Sequence, residues 1–126
     1  MDYKAFAQNI LNHQIDTSNQ EAEIYVMSGK ETQINVRRGE VEKLSFAGSK
    51  GIGIRIIRDG RTGYAYTSDF EPSNVQNTIK VAESLAAISD SDQHRKLPEQ
   101  QEISVQELEI YDPTIAEKSI EEKIKF

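Results

Sequence analysis

The segment KGIGIRIIRDGRTGYAYTSDF, residues 50–70, constrains the fold more than any other part of this chain. Isoleucines at 52, 54 and 56 alternate with Gly51, Gly53 and Arg55, the period-two pattern of a strand with one buried face. Asp59-Gly60 separates this run from RTGYAYTS. A two-residue connection of that composition predicts a type I′ hairpin, because both central residues need positive φ. Two antiparallel strands follow from such a turn. The same segment argues against a phosphate loop. Glycines that cradle a phosphate sit between a strand and a helix whose N–H groups face the anion, whereas Gly51 and Gly53 run on into strand and hairpin. Alternating glycines in a strand instead bare one face to a close neighbour, whether helix, strand or partner. On this reading Gly63 and Ala65, across the hairpin, extend the bare strip.

Further strand signals lie just upstream. EIYVMS is expected to turn at Gly29-Lys30 into ETQINVRR, and Gly39-Glu40 to turn that run into VEKLSFA. Short consecutive links favour a meander. The sequence therefore predicts an α+β fold, an antiparallel meander sheet of four to five strands with flanking helices. Tyr3, Phe6, Ala7, Ile10 and Leu11 recur at helical spacing near the start. Pro72 suits the first turn of a second helix, with Asp69 or Glu71 near its positive end, and Val75, Ile79, Ala82 and Ala86 form a stripe that should lie on the sheet. Residues 89–104 read as a polar surface connection, and VQELEIYDP as a short extended piece. Asp112-Pro113 opens a third helix holding Ile115, Ile120 and Ile124. No C-cap precedes Phe126, so residues 1–126 are expected to be one domain of a protein that continues, interrupted in or near that helix.

Composition narrows the function classes. The absence of cysteine excludes disulfides and thiolate metal sites, and with no signal-peptide pattern the chain reads as cytoplasmic. No apolar run is long enough for a membrane helix. The net charge of −6 lies in the second part: residues 1–70 are balanced, while residues 71–126 carry twelve acidic and six basic side chains. Residues 37–61 reverse the sign locally, with seven basic against three acidic. That patch falls short of the footprint of a duplex binder, so no nucleic-acid partner is expected.

Residues able to carry catalysis are scarce. His13 and His94 stand far apart and in no metal-ligand spacing, whereas a hydrolytic zinc ion takes about three protein ligands. Ser45, Ser49, Ser68 and Asp69 lie in no nucleophile motif, and Glu121 and Glu122 read as a solvated helix face. No catalytic, cofactor or metal residue is assigned within the chain.

The ordered string RRGEVEKLSFAGSKGIGIRIIRDGRTGYAYTSDF, then EPSNVQNTIKVAESLAAIS, then LPEQQ and LEIYDP, resembles the N-terminal domain of the TldD/PmbA family. Members of that family are described as modulators of DNA gyrase and regarded as metalloproteases. The likeness covers about residues 20–115, and YTSDF with the later YDP is closer to the PmbA branch. It implies a scaffold and substrate-enclosing domain of a peptidase assembly acting on unfolded peptides, with a TldD-like subunit or a second copy as partner. It also implies zinc for the full assembly, held outside this chain, because the family's histidine-glutamate-histidine helix has no match in residues 1–126.

Two functional readings follow. In the first, a peptide adds to a strand edge, with Arg55, Tyr64 and Tyr66 as candidate contacts. The same three residues also suit ordinary roles, Arg55 as a solvent-facing strand residue and the tyrosines as cross-strand packing. In the second, the chain is a non-enzymatic interaction module linked to gyrase modulation, meeting an acidic protein surface through Arg37, Arg38 and Arg55.

Overall fold

The computed structural model describes residues 1–126. Its elements run α1 (Tyr3–His13), β1 (Glu21–Arg37), β2 (Glu40–Arg58), β3 (Arg61–Thr67), α2 (Pro72–Ile88), α3 (Thr114–Glu117) and α4 (Ile120–Lys125). The α+β class and the meander hold, but the sheet has three strands in the order β1-β2-β3, where the sequence suggested four to five. One expected turn is absent and two segments expected as separate strands are one. Gly29-Lys30 lies inside β1, and VEKLSFA runs straight into GIGIRIIR as one strand. Only Gly39 and Gly60 among the glycines have positive φ, so the others stay extended. The real turns are Arg38-Gly39 (φ 53 and 79) and Asp59-Gly60 (φ 51 and 71), each with both central residues in the left-handed region that a type I′ turn requires.

The chain divides into two compact units, and β1 and β2 contribute residues to both. The first unit comprises Met1–Gly29 and Ser49–Glu99. Its core is built where the sequence pattern places it. Ile52, Ile54 and Ile56 are fully buried and meet Val75, Ile79, Ala82 and Ala86 of α2, together with Ile10 of α1. Burying an isoleucine contributes roughly 1.5–3 kcal/mol, so these three positions anchor the unit. Asp2 caps α1 through Ala5 N–H at 3.1 Å. At the start of α2, Asp69 accepts from Glu71 N–H at 2.9 Å and from the Asn74 amide at 2.6 Å, and Pro72 takes the first turn, where its missing N–H costs nothing. At its far end the Arg61 guanidinium donates to the Ser89 carbonyl, setting a cation against the negative end of the helix.

The polar stretch after α2 is irregular, as expected, yet it is tied down. Ser91 donates its hydroxyl to the Asp59 carbonyl at 2.7 Å, and Asp92 N–H donates to the Gly60 carbonyl at 2.9 Å. The hairpin turn is thus clasped by the segment that leaves the helix.

The second unit comprises Lys30–Gly48 and Gln100–Phe126. Its helical part is two short helices where the sequence suggested one. Lys118 is extended (ψ 132), and Ser119 restarts the helix through a reciprocal capping box with Glu122. Asp112 accepts from Thr114 N–H at 2.9 Å and from its hydroxyl at 2.6 Å ahead of α3. These bonds hold the Asp112 carboxyl below its ordinary pKa, the side-chain bond being the larger cause. VQELEIYDP joins no sheet, and Glu109 carries φ 44, which interrupts the extended run. Within this unit Ile34, Phe46, Ile110, Ile115 and Ile120 line an open hollow of about 920 Å³. No helix of the chain is long and apolar enough to cross a membrane.

Candidate functional site

Strand alternation gives the first unit's sheet two unlike faces. One carries the core isoleucines. The other carries Gly51, Gly53 and Arg55 of β2 and Tyr64 and Tyr66 of β3, since the register pairs Gly53 with Tyr66 and Arg55 with Tyr64. Arg55, Tyr64 and Tyr66 therefore share one surface on adjacent strands. Arg55 is engaged there: its guanidinium meets the Glu23 carboxylate of β1 at 2.6 Å, with both side chains nearly half exposed. An exposed pair of this kind contributes at most about 1 kcal/mol. Tyr25 and Met27 follow Glu23 at two-residue steps on β1 and are also exposed, so the surface continues across the sheet as an aromatic and apolar field around one ion pair.

The glycine strip is not bare. A Cβ at Gly51 would collide with the ring and hydroxyl of Tyr66, and one at Gly53 with the hydroxyl end of Tyr64. Each tyrosine leans diagonally over the glycine two residues from its register partner, covering the backbone that the missing side chain exposes. Both rings remain 54% exposed. Gly63 does not extend this strip. It pairs with Ile56 and so faces α2, where an added Cβ would strike the Ala82 carbonyl and the Ala86 amide. Ala65, opposite Ile54, shares that core side. The strip reading placed both on the wrong face because the face depends on register parity, which glycine content does not encode.

The remaining sequence candidates stay apart. Arg37 pairs with Glu42 at 3.6 Å in the second unit, and Arg38 occupies the ribbon turn. His13 ends α1 and His94 lies in the segment after α2, and no group of three or more histidine, aspartate or glutamate side chains converges to hold a metal ion. The chain's own residues therefore do not fit a zinc site.

The strand edge that the sequence reading left unplaced is identified as the outer edge of β3. Beside it lies a hollow of about 350 Å³ lined by Ala65, Thr67, Asn74, Asn77, Thr78 and Val81. The signal was available in part, because the last strand of a meander has one free edge by construction.

The family model for PmbA/TldA metallopeptidase domain 1 matches residues 22–86, which span the hairpin, its tyrosines and α2. The chain belongs to the PmbA/TldD family. Among solved structures, TldE from Thermococcus kodakarensis superposes with a TM-score of 0.62 at 26% identity, over 71% of this chain and 20% of its own. A proposed modulator of a DNA gyrase from Thermotoga maritima, TM0727, matches with a TM-score of 0.74 at 18% identity, over 98% of this chain and 27% of its own, and establishes the fold alone. An uncharacterised protein of Methanocaldococcus jannaschii, MJ0231, is 30% identical over 60 residues, 48% of this chain and 14% of that protein. This PmbA/TldD chain thus spans between 14% and 27% of the length of these relatives.

Proposed function

We propose that the chain is the N-terminal scaffold and substrate-enclosing domain of a PmbA-like subunit in a cytoplasmic zinc peptidase assembly that degrades unfolded peptides. The observation that carries this reading is the family match over the hairpin and α2, the same segment that presents an unpaired strand edge beside a hollow. In this reading residues 1–126 open a longer protein, and the chain supplies wall and docking surface. In the same reading, zinc and the hydrolytic groups belong to residues outside it, in a TldD-like subunit. When bound there, zinc would activate water for peptide hydrolysis.

Co-expression with a TldD-type subunit tests the proposal. The expected result is co-purification and cleavage of denatured casein by the complex, with no cleavage by the 126-residue chain alone. A TldD-type subunit that neither binds the chain nor changes its activity in its presence would overturn it.

A further inference from the structure

Asp59-Gly60 is the one place in the chain where an aspartate or asparagine precedes glycine. The pair carries the turn between β2 and β3, with φ 51 and 71, and is held from outside the sheet. Ser91 donates its hydroxyl to the Asp59 carbonyl at 2.7 Å, and Asp92 N–H donates to the Gly60 carbonyl at 2.9 Å. The packing is close, since a Cβ at Gly60 would strike the Asp92 carbonyl. These bonds leave two groups of the turn unengaged. Asp59 is exposed and its carboxylate joins none of the chain's ion pairs, and the Gly60 N–H finds no backbone acceptor.

Those two groups can react with each other. The Gly60 nitrogen attacks the Asp59 carboxyl carbon and closes a succinimide ring, while one water leaves with the amide hydrogen and the carboxyl hydroxyl. Water then adds to either ring carbonyl and breaks one of its C–N bonds. One product is the original aspartate, and the other is isoaspartate, in which the main chain runs through the former side chain. Glycine favours the attack because it has no Cβ to screen its nitrogen. The left-handed conformation opposes it. That conformation sets Cβ against the carbonyl oxygen, so the nitrogen on the other side of the carbonyl carbon is turned away from the Asp59 side chain. Ring closure therefore requires rotation about the Asp59 Cα–C bond. The same rotation swings the carbonyl oxygen that Ser91 holds.

We propose that Asp59-Gly60 is a site of isoaspartate formation and that the segment leaving α2 is its brake, with Ser91 setting how often the turn opens to reaction. Isoaspartate adds one methylene to the main chain of a two-residue turn. The Asp59 and Gly60 carbonyls are then displaced from Ser91 and Asp92, so a modified chain loses the clasp that restrained it. The contact of Arg61 with the Ser89 carbonyl loosens with it. This modification is independent of the peptidase reading and limits the lifetime of the hairpin itself.

The test incubates the chain, its Ser91→Ala and Ser91→Thr variants, and the chain unfolded in urea, all warm and at neutral pH. Cleavage at lysine releases residues 51–80 as one peptide, whose aspartate and isoaspartate forms have equal mass and separate by chromatography. An isoaspartyl-specific carboxyl methyltransferase labels the second form. The native chain is expected to convert at least about tenfold more slowly than the unfolded one, and loss of one hydrogen bond in Ser91→Ala to speed conversion about fivefold. Ser91→Thr, which keeps the hydroxyl, should stay near the native rate. Should the alanine variant fail to fold, Asp92→Pro removes the other clasp donor and reads the same brake. Conversion of the native chain as fast as the unfolded one, an unchanged rate when a clasp donor is removed, or no isoaspartate at residue 59 in any sample overturns the proposal.

Discussion

The ring of Tyr66 lies against Gly51, two residues along β2 from Gly53, its partner in the register. Its hydroxyl reaches the Lys50 carbonyl at 3.4 Å. Tyr64 repeats the relationship over Gly53. The outer face is therefore held by aromatic side chains lying over bare backbone, and one arrangement serves both strand pairing and the proposed contact surface.

Removing either ring should cost stability as well as surface. Tyr64→Ala and Tyr66→Ala are each expected to destabilise the chain by up to about 1 kcal/mol, the range of a cross-strand pair. Urea denaturation measures this, and the double variant should show less than additive loss if the two rings also support each other.

Gly51→Ala and Gly63→Ala should separate the two faces. At Gly51 the obstacle is the mobile end of a tyrosine, which can swing away. At Gly63 it is the backbone of α2 at Ala82 and Ala86, which cannot. The expected losses are about 1 kcal/mol or less for Gly51→Ala and on the order of 3 kcal/mol for Gly63→Ala, read by denaturation midpoint.

Arg61→Ala should loosen the end of α2. The guanidinium both satisfies the Ser89 carbonyl and opposes the helix dipole, so its removal is expected to cost about 1 kcal/mol. Hydrogen exchange should quicken in the last turn of α2 and in residues 89–92, with β2 protected as before.

Acid should release the turn held by Asp112. Hydrogen bonds from Thr114 lower its folded pKa below the ordinary value of 3.8, and bonds from Ser18 do the same for Asp16. A depressed carboxyl contributes stability that is fully present above the unfolded pKa and is lost as pH falls through the folded one. Both hydrogen-bonded turns should therefore hold from neutrality down to about pH 4 and loosen as pH falls below it. Carboxyl chemical shifts followed by NMR titration check the direction, and Asp112→Asn should remove the titration without abolishing the turn.

Where local chemistry dictates conformation, the fold was legible in the sequence. Asp59-Gly60 announces its turn because few other residues accept two successive positive φ values, and α2 announces its face because Val75, Ile79, Ala82 and Ala86 fall on one stripe. Gly29-Lys30 misled because a glycine in an extended strand and a glycine in a turn look alike in sequence. Arg38-Gly39 turned one residue earlier than expected, with an arginine carrying φ 53. The break at Lys118 was readable after the fact, since Ser119 and Glu122 form a capping box in the middle of the expected helix. The shared surface of Arg55, Tyr64 and Tyr66 followed from hairpin register, whereas the Arg55–Glu23 pair joins strands whose alignment the sequence did not disclose.

The central claim is that this chain contributes walls and no hydrolytic chemistry to a peptidase assembly. The most direct test purifies the 126-residue chain without a tag, dialyses it against buffered zinc, and measures bound metal by mass spectrometry alongside cleavage of denatured casein. The account predicts no stoichiometric zinc and no cleavage above background. One zinc per chain together with peptide hydrolysis would contradict it.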